Sequence, residues 1–258
     1  MLRMATRRFC KAPNPKFIMT AIASLDFKDK TLPHQPPLSQ YYSGSAEEFP
    51  GKLYSFLAET AGLLHPEREF KLKTTPRVSV EEMASHPVAL RFLEFVVLMK
   101  RPKRVLEIGT FIGLASMHMA AHLPRGGRVV TIEKFPEFAE IAQENFTRNK
   151  LKDKIALVVG DALEKIRSGE VKGPFDLVFI DGNKENYDDY FNWADLVIPR
   201  GGVIIIDDSF FHGDVLNAEP RTEKGKGVQK CLRLVAQRRD YHKLVLPIVN
   251  GITVLIKR

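Results

Sequence analysis

Val105-Leu-Glu-Ile-Gly-Thr-Phe-Ile-Gly113 is an apolar run that breaks into two glycines, and Leu114-Ala-Ser-Met-His-Met-Ala120 follows it. A short buried strand that ends in a glycine turn and opens a helix is where an α/β sheet meets a nucleotide-like ligand. A glycine backbone can approach such a ligand closely. The spacing then discriminates between ligands. A dinucleotide fold uses G-x-G-x-x-G, which seats a pyrophosphate on the helix N-terminus. Here the pattern is Glu107-x-Gly109-x-x-x-Gly113, and a carboxylate two residues before the first glycine repels a pyrophosphate. A second apolar run, Arg128-Val-Val-Thr-Ile132, ends in Glu133. That is the place and residue type for a carboxylate that accepts both hydroxyls of a ribose. The two carboxylates predict an adenosine ligand carrying positive charge. The glycines alone are equally an ordinary strand-to-helix turn, and Glu133 is what favours the ligand.

From this stretch onward, strand and helix alternate. Strands are expected at 104–108, 128–132, 155–159, 175–180, 202–206, 243–249 and 252–257, and helices near 113–122, 136–148, 162–168, 184–196 and 227–239. The first five strands are near-continuous apolar runs, as parallel strands buried on both faces should be. The last two flank Asn250-Gly251, a hairpin signal. Upstream, Ser45 and Glu48 form a capping box opening a helix with Phe49, Leu53, Phe56, Leu57 and Leu64 at helical spacing. A second helix follows Pro87, places Leu90, Leu93 and Val97 on one face, and stops at Arg101-Pro102. These two helices are expected to cover the sheet and frame the cofactor entrance.

The fourth strand leads into Asp181-Gly-Asn-Lys184-Glu-Asn-Tyr187 and the fifth into Asp207-Asp208-Ser-Phe-Phe211. Carboxylates at the C-terminal ends of adjacent parallel strands stand where such sheets bind ligands. Like charges held that close raise a pKa, recruit a cation, or both. Oxygen-only ligands suit a hard divalent ion such as Mg²⁺. The third strand ends in Gly160-Asp161-Ala162, where Asp161 is also a natural cap for the next helix.

At these residues the chain resembles the class I S-adenosylmethionine-dependent methyltransferases, through Glu107, Gly109, Gly113 and Glu133. The later motifs narrow the resemblance, over roughly residues 80–258, to the metal-dependent O-methyltransferases typified by the catechol and caffeoyl-CoA enzymes. The resemblance implies an α/β Rossmann-like fold, a mostly parallel sheet of seven strands with an antiparallel C-terminal hairpin and helices on both faces. It implies Asp181, Asp207 and Asp208 as metal ligands and Lys184, three residues after Asp181, as general base. Asp181 would serve catalysis and border the cofactor as well, Asp161 and Ala162 would hold the adenine edge, and Ala115 and Ser116 would lie near the methionine moiety. Two positions depart from the family: Asp208 replaces the usual Asn, and Ala115 stands where the plant enzymes often have Ser. Phe210-Phe211-His-Gly213-Asp-Val215 and Pro247-Ile-Val-Asn-Gly251-Ile-Thr253 also match, and Phe210 or Phe211 is expected to line a substrate face. Trp193 and His118 are expected to be packing residues, His118 with solvent as its alternative.

The implied activity is metal-dependent methyl transfer from S-adenosylmethionine to a hydroxyl of a small, catechol-like acceptor. The alternatives are a methyltransferase acting on protein or RNA, and a protein that binds the cofactor without turnover. A nicotinamide-dependent dehydrogenase is opposed by Glu107 and the missing glycine pattern.

Composition narrows the partners. No apolar run approaches the ~20 residues of a membrane span, so no membrane partner is expected. Five of the eight net positive charges, Arg3, Arg7, Arg8, Lys11 and Lys16, fall before the first acidic residue. The remainder is nearly balanced and carries no basic stripe interleaved with aromatics, which argues against nucleic acid. Cys10 and Cys231 provide no disulfide framework. Residues 1–44 read as a basic, proline-containing leader, either a mitochondrial transit peptide or a plain basic tail on a cytoplasmic protein. The methyltransferase domain is expected over 45–258, with a helical cover at 45–101 and the Rossmann-like core at 102–258. A homodimer is left open.

Overall fold

A computed structural model describes residues 43–45, 48–60 and 65–258. The leader expectation falls almost wholly outside the described residues, and Leu64 does so as well. The chain divides into two units after Ser55. In the first, Ser45 Oγ accepts from Glu48 N at 3.2 Å, the cap read from the sequence, ahead of helix α1, Phe49–Glu59, which begins in this unit and runs past its end. Leu53 and Phe56 on that helix are exposed.

The second unit holds the remaining elements. They are α2 (Val80–Met83), α3 (Pro87–Lys100), β1 (Arg104–Ile108), α4 (Leu114–His122), β2 (Arg128–Glu133), α5 (Pro136–Arg148), β3 (Ile155–Val159), α6 (Ala162–Arg167) and β4 (Leu177–Ile180). After a 3₁₀ turn at Lys184–Asn186 come α7 (Tyr187–Val197), β5 (Val203–Ile206), a second 3₁₀ segment at Phe211–Leu216, α8 (Glu223–Gln237), β6 (Tyr241–Leu246) and β7 (Ile252–Lys257). No helix among the described residues is long and apolar enough to cross a membrane.

The seven strands form one sheet in the order β3-β2-β1-β4-β5-β7-β6. The first five are parallel, and β7 inserts antiparallel between β5 and β6. Strand order reverses between β1 and β4, and that crevice is where an open α/β sheet binds its ligand. Register aligns the strand ends. Ile108 pairs with Ile132 and Ile180, and Ile180 with Ile206, so Gly109, Glu133, Asp181 and Asp207 each follow the last of these pairs on one edge.

Apolar side chains bury both faces. Leu90, Leu93 and Val97 of α3, with Met117 and Phe146, pack against Val105, Leu177 and Ile205. On the other face Ile166, Phe191, Val228 and Cys231 pack against Leu106, Val178 and Ile204. A strand can present apolar residues to both layers only because successive side chains point to opposite faces.

Most element ends fall within two residues of the sequence reading, and three boundaries shift further. Helix α7 begins at Tyr187, since Lys184–Asn186 form a 3₁₀ turn. Helix α8 begins at Glu223 instead of 227, because Thr222 Oγ1 accepts from Gly225 N at 2.9 Å and caps it. Strand β6 ends at Leu246, so the hairpin is closed by a five-residue loop, 247–251, and not by a two-residue Asn-Gly turn.

His118 is buried, with Nδ1 2.7 Å from Oε1 of the fully buried Glu94. Arg91 and the Glu67 amide donate to the other oxygen of Glu94, at 3.2 and 3.1 Å. This network ties α3 and α4 to the incoming segment. Burial pulls the His118 pKa down, against the opposing pull of Glu94. A buried carboxylate of this kind is tolerated because its lone pairs are taken.

Candidate active site

The cofactor side of the crevice is built from β1, β2 and the loop between β1 and α4. Gly109 has φ 99°, and a Cβ there would collide with the Asp181 carbonyl oxygen. Gly113, the N-cap of α4 at φ 87°, lies against the Phe146 ring in the same way. Both glycines are therefore demanded by packing around the crevice, whatever occupies it. Glu107 is buried, and its Oε2 accepts from the Ser116 hydroxyl and from Thr131 Oγ1. Burial pushes its pKa up to about 8, against the pull of those two hydroxyls. Ser116 is thus directed to Glu107, and Ala115 beside it is buried.

Glu133 does more than end a strand. Its Oε2 accepts from the amides of Phe111 at 2.7 Å and Thr110 at 3.3 Å, and its Oε1 from Phe135 N at 2.9 Å. Burial raises the Glu133 pKa, and these amides oppose the rise. Asp161 caps α6 through Leu163 N at 3.0 Å and pairs with Lys134 at 3.1 Å. Burial pulls its pKa up, but Lys134 and the helix amides prevail and hold it below the usual carboxylate value. The cap and a ligand role are compatible. Ala162 follows, buried, at the first helical position.

Across the crevice, Lys184 Nζ lies 2.8 Å from Asp181 Oδ1 and 2.9 Å from Asp208 Oδ2. Asp207 is buried beside them, its Oδ1 accepting from Asp208 N at 2.9 Å. Burial, followed by the charges of Asp181 and Asp208, pushes the Asp207 carboxyl well above its usual range. Burial alone would lower the Lys184 pKa, but Asp181, Tyr187 and Asp208 outweigh it and keep the ammonium well above its ordinary value. Helix α8 presses on this turn, because Gly227 has no Cβ to strike the Lys184 carbonyl.

Among the described residues no group of three or more His, Cys, Asp or Glu stands ready-made as a metal cage. Lys184 instead bridges two of the three carboxylates. The donor chemistry nevertheless suits a divalent ion: the crowding that pushes the Asp207 carboxyl up is relieved when a cation lets all three carboxylates ionise together, and their oxygens are the hard donors such an ion takes. The Tyr187 hydroxyl, fully buried, has no hydrogen-bond partner among the described residues, and Lys184 Nζ lies 5.6 Å from the centre of its ring. A buried polar atom left open beside such a cluster suits an additional oxygen ligand or water there.

Several site residues were missed in the sequence. Thr131, two residues before Glu133, was read only as part of a strand, and Lys134, just after it, carried no motif. Phe111 and Phe138 stack edge-on at 5.0 Å next to the Glu133 carboxylate. Asn250, read as a turn former, reaches Asp208. Phe210 lies against Gly251, Phe211 packs partly against the core, and Trp193 is half-buried near Phe175, as expected.

A family model described as O-methyltransferase matches residues 59–258. A catechol O-methyltransferase of Mycobacterium tuberculosis is 35% identical over 162 residues, covering 63% of this chain and 70% of that protein. A catechol O-methyltransferase of Niastella koreensis is 35% identical over 135 residues, covering 52% and 61%. Among solved structures, the O-methyltransferase TomG from Streptomyces achromogenes, in complex with SAM, matches with a TM-score of 0.65 at 29% identity, over 68% of this chain and 82% of that one. The O-methyltransferase from Bacillus cereus in complex with SAH matches with a TM-score of 0.66 at 26% identity, over 85% and 94%.

Proposed function

This chain belongs to the O-methyltransferase family, and from that premise we propose that it methylates a hydroxyl of a small, catechol-like aromatic, using S-adenosylmethionine and a divalent ion. The observation that carries the reading is the edge where Lys184 joins Asp181 and Asp208 beside buried Asp207, across the crevice from Glu133. Asp181, Asp207 and Asp208 would hold the ion, Mg²⁺ by the hardness of their oxygens. When bound, the cofactor supplies an electrophilic methyl on a sulfonium, and the ion supplies Lewis acidity that makes an acceptor hydroxyl more acidic.

The chain's own residues do the rest. Buried Glu107 places an acidic group at the base of the crevice, next to the loop that carries Gly109 and Gly113. Glu133 binds the ribose through Oε1, which takes one amide, since Oε2 already takes two and a carboxylate oxygen has about two acceptor sites. Asp161 and Ala162 border the adenine. Lys184 is an ammonium while it pairs with Asp181 and Asp208; with those carboxylates turned to a cation, it would be free to lose its own proton and take that of the acceptor hydroxyl. The same acidic edge repels a phosphate backbone, which favours a small acceptor over RNA.

Glu133→Ala is expected to weaken S-adenosylmethionine binding at least about tenfold, the equivalent of one lost charge-assisted hydrogen bond. It is also expected to lower the melting temperature, because three loop amides lose their acceptor. Calorimetry with unchanged affinity would remove Glu133 from the cofactor site.

The acceptor is tested by incubating the protein with S-adenosylmethionine labelled in the methyl group and a panel of aromatics. Vicinal diols are expected to be methylated and their singly hydroxylated counterparts to be poor acceptors. Equal labelling of both would refute chelation of two adjacent oxygens.

A further inference from the structure

Asn250 sits in the loop between β6 and β7, 42 residues from Asp208, yet its side chain donates from Nδ2 to Asp208 Oδ1 at 2.8 Å. The orientation of the amide is not arbitrary. His212 N, which can only donate, lies 2.6 Å from Asn250 Oδ1, so the nitrogen must face Asp208. The Asn250 carbonyl accepts from Phe210 N at 2.7 Å, and the Gly251 carbonyl from Ser209 N at 2.8 Å. Lys184 occupies the other oxygen of Asp208. The carboxylate is thereby held at both of its oxygens.

The backbone here is costly. Asp208, Phe211, His212 and Val249 have φ of 52°, 40°, 53° and 52°, in the left-handed region that side chains disfavour. Such conformations persist only where surrounding bonds over-determine them, and they gather at working sites. Asn250 supplies two of those bonds from its side chain and one from its backbone.

We propose that Asn250 is a positioning residue that orients Asp208 and the turn at 208–212 for methyl transfer. This rests on the reading of Asp208 as a metal ligand. The pairing is a carboxylate at one position and an amide at the other, and nothing in a hydrogen bond requires the amide to come from the hairpin. Two carboxylates would face each other without a proton between them. Exchanging the two residues should restore the bond.

The test uses the full chain. In excess chelator, Asn250→Asp is expected to lower the melting temperature by about 2–8 °C, the span for losing 1–2 kcal/mol in a domain of this size. With Mg²⁺ and a catechol it is expected to lower kcat about tenfold or more, with S-adenosylmethionine affinity retained. Adding Asp208→Asn to the same chain is expected to recover most of the melting temperature and much of kcat. A residue that merely shapes the hairpin predicts the reverse, since the second change would add its own loss. A double variant no better than Asn250→Asp, or an Asn250→Asp protein as stable and active as the parent, overturns the proposal. If Asn250→Asp does not fold, a cooperative melt recovered in the double variant supports the exchange, and its absence refutes it. Parent turnover that ignores chelator would sink the metal reading and the catalytic half of this proposal with it, while the melting temperatures would still decide the Asn250–Asp208 pairing.

Discussion

Excess chelator is expected to abolish methyl transfer, by roughly 10³-fold or more, while S-adenosylmethionine binding persists. Several kcal/mol of transition-state stabilisation is the scale on which a metal ion acts, and each ~1.4 kcal/mol is a factor of ten. The two halves of this expectation come from separate parts of the crevice. Glu133 holds the loop amides of Thr110 and Phe111 on the β2 side. Asp181, Asp207 and Asp208 lie on the β4 and β5 side, and their charge balance is the one an ion changes. Turnover is measured with labelled cofactor and a catechol, and binding by calorimetry, before and after chelation and after Mg²⁺ is restored. Full turnover in chelator would make the enzyme a metal-independent O-methyltransferase.

Lys184→Ala is expected to lower kcat by about 10²- to 10⁴-fold, the usual span for a lost general base. The competing role is structural, because Lys184 is an ion-pair partner of both Asp181 and Asp208. Lys184→Arg separates the two. A guanidinium keeps the positive charge and can bridge carboxylates, but it does not give up a proton in the accessible pH range and so cannot act as a base. The arginine variant is therefore expected to fold with a melting temperature nearer the parent than the alanine variant, and to be as poorly active. Activity restored by arginine would assign Lys184 to charge balance alone.

Much of the fold was legible because the signals are local. Five apolar runs at regular spacing, with helical periodicity between them, can bury both faces only as a covered parallel sheet. The C-terminal ends of such strands then carry Glu133, Asp181 and Asp207 to one edge, as the observed register does. The errors lie where a local signal had two meanings. Asn250-Gly251 looks like a two-residue turn, but Val249 and Gly251 both adopt positive φ and the loop takes five residues. The helix expected from 227 starts at Glu223, and glycines 225 and 227 lie inside it, where the backbone must pass close to Asp214 and Lys184.

The amino-acid sequence by itself determined the alternation of strands and helices, the family resemblance, and the residue types at the ends of β1, β2, β4 and β5. These follow from periodicity and from turn chemistry, which act over a few residues. Only the tertiary structure decided how those residues are used. Glu107 takes up the Ser116 and Thr131 hydroxyls, Glu133 spends lone pairs on loop amides, and Lys184 stands between Asp181 and Asp208. Asn250 meets Asp208 across 42 residues because β7 inserts beside β5 and brings the hairpin loop over the turn that follows β5. Side-chain hydrogen bonds of this kind depend on distances of a few tenths of an ångström between segments far apart in the chain. Hydrophobic patterning specifies the faces that pack, and only the packed sheet sets those distances.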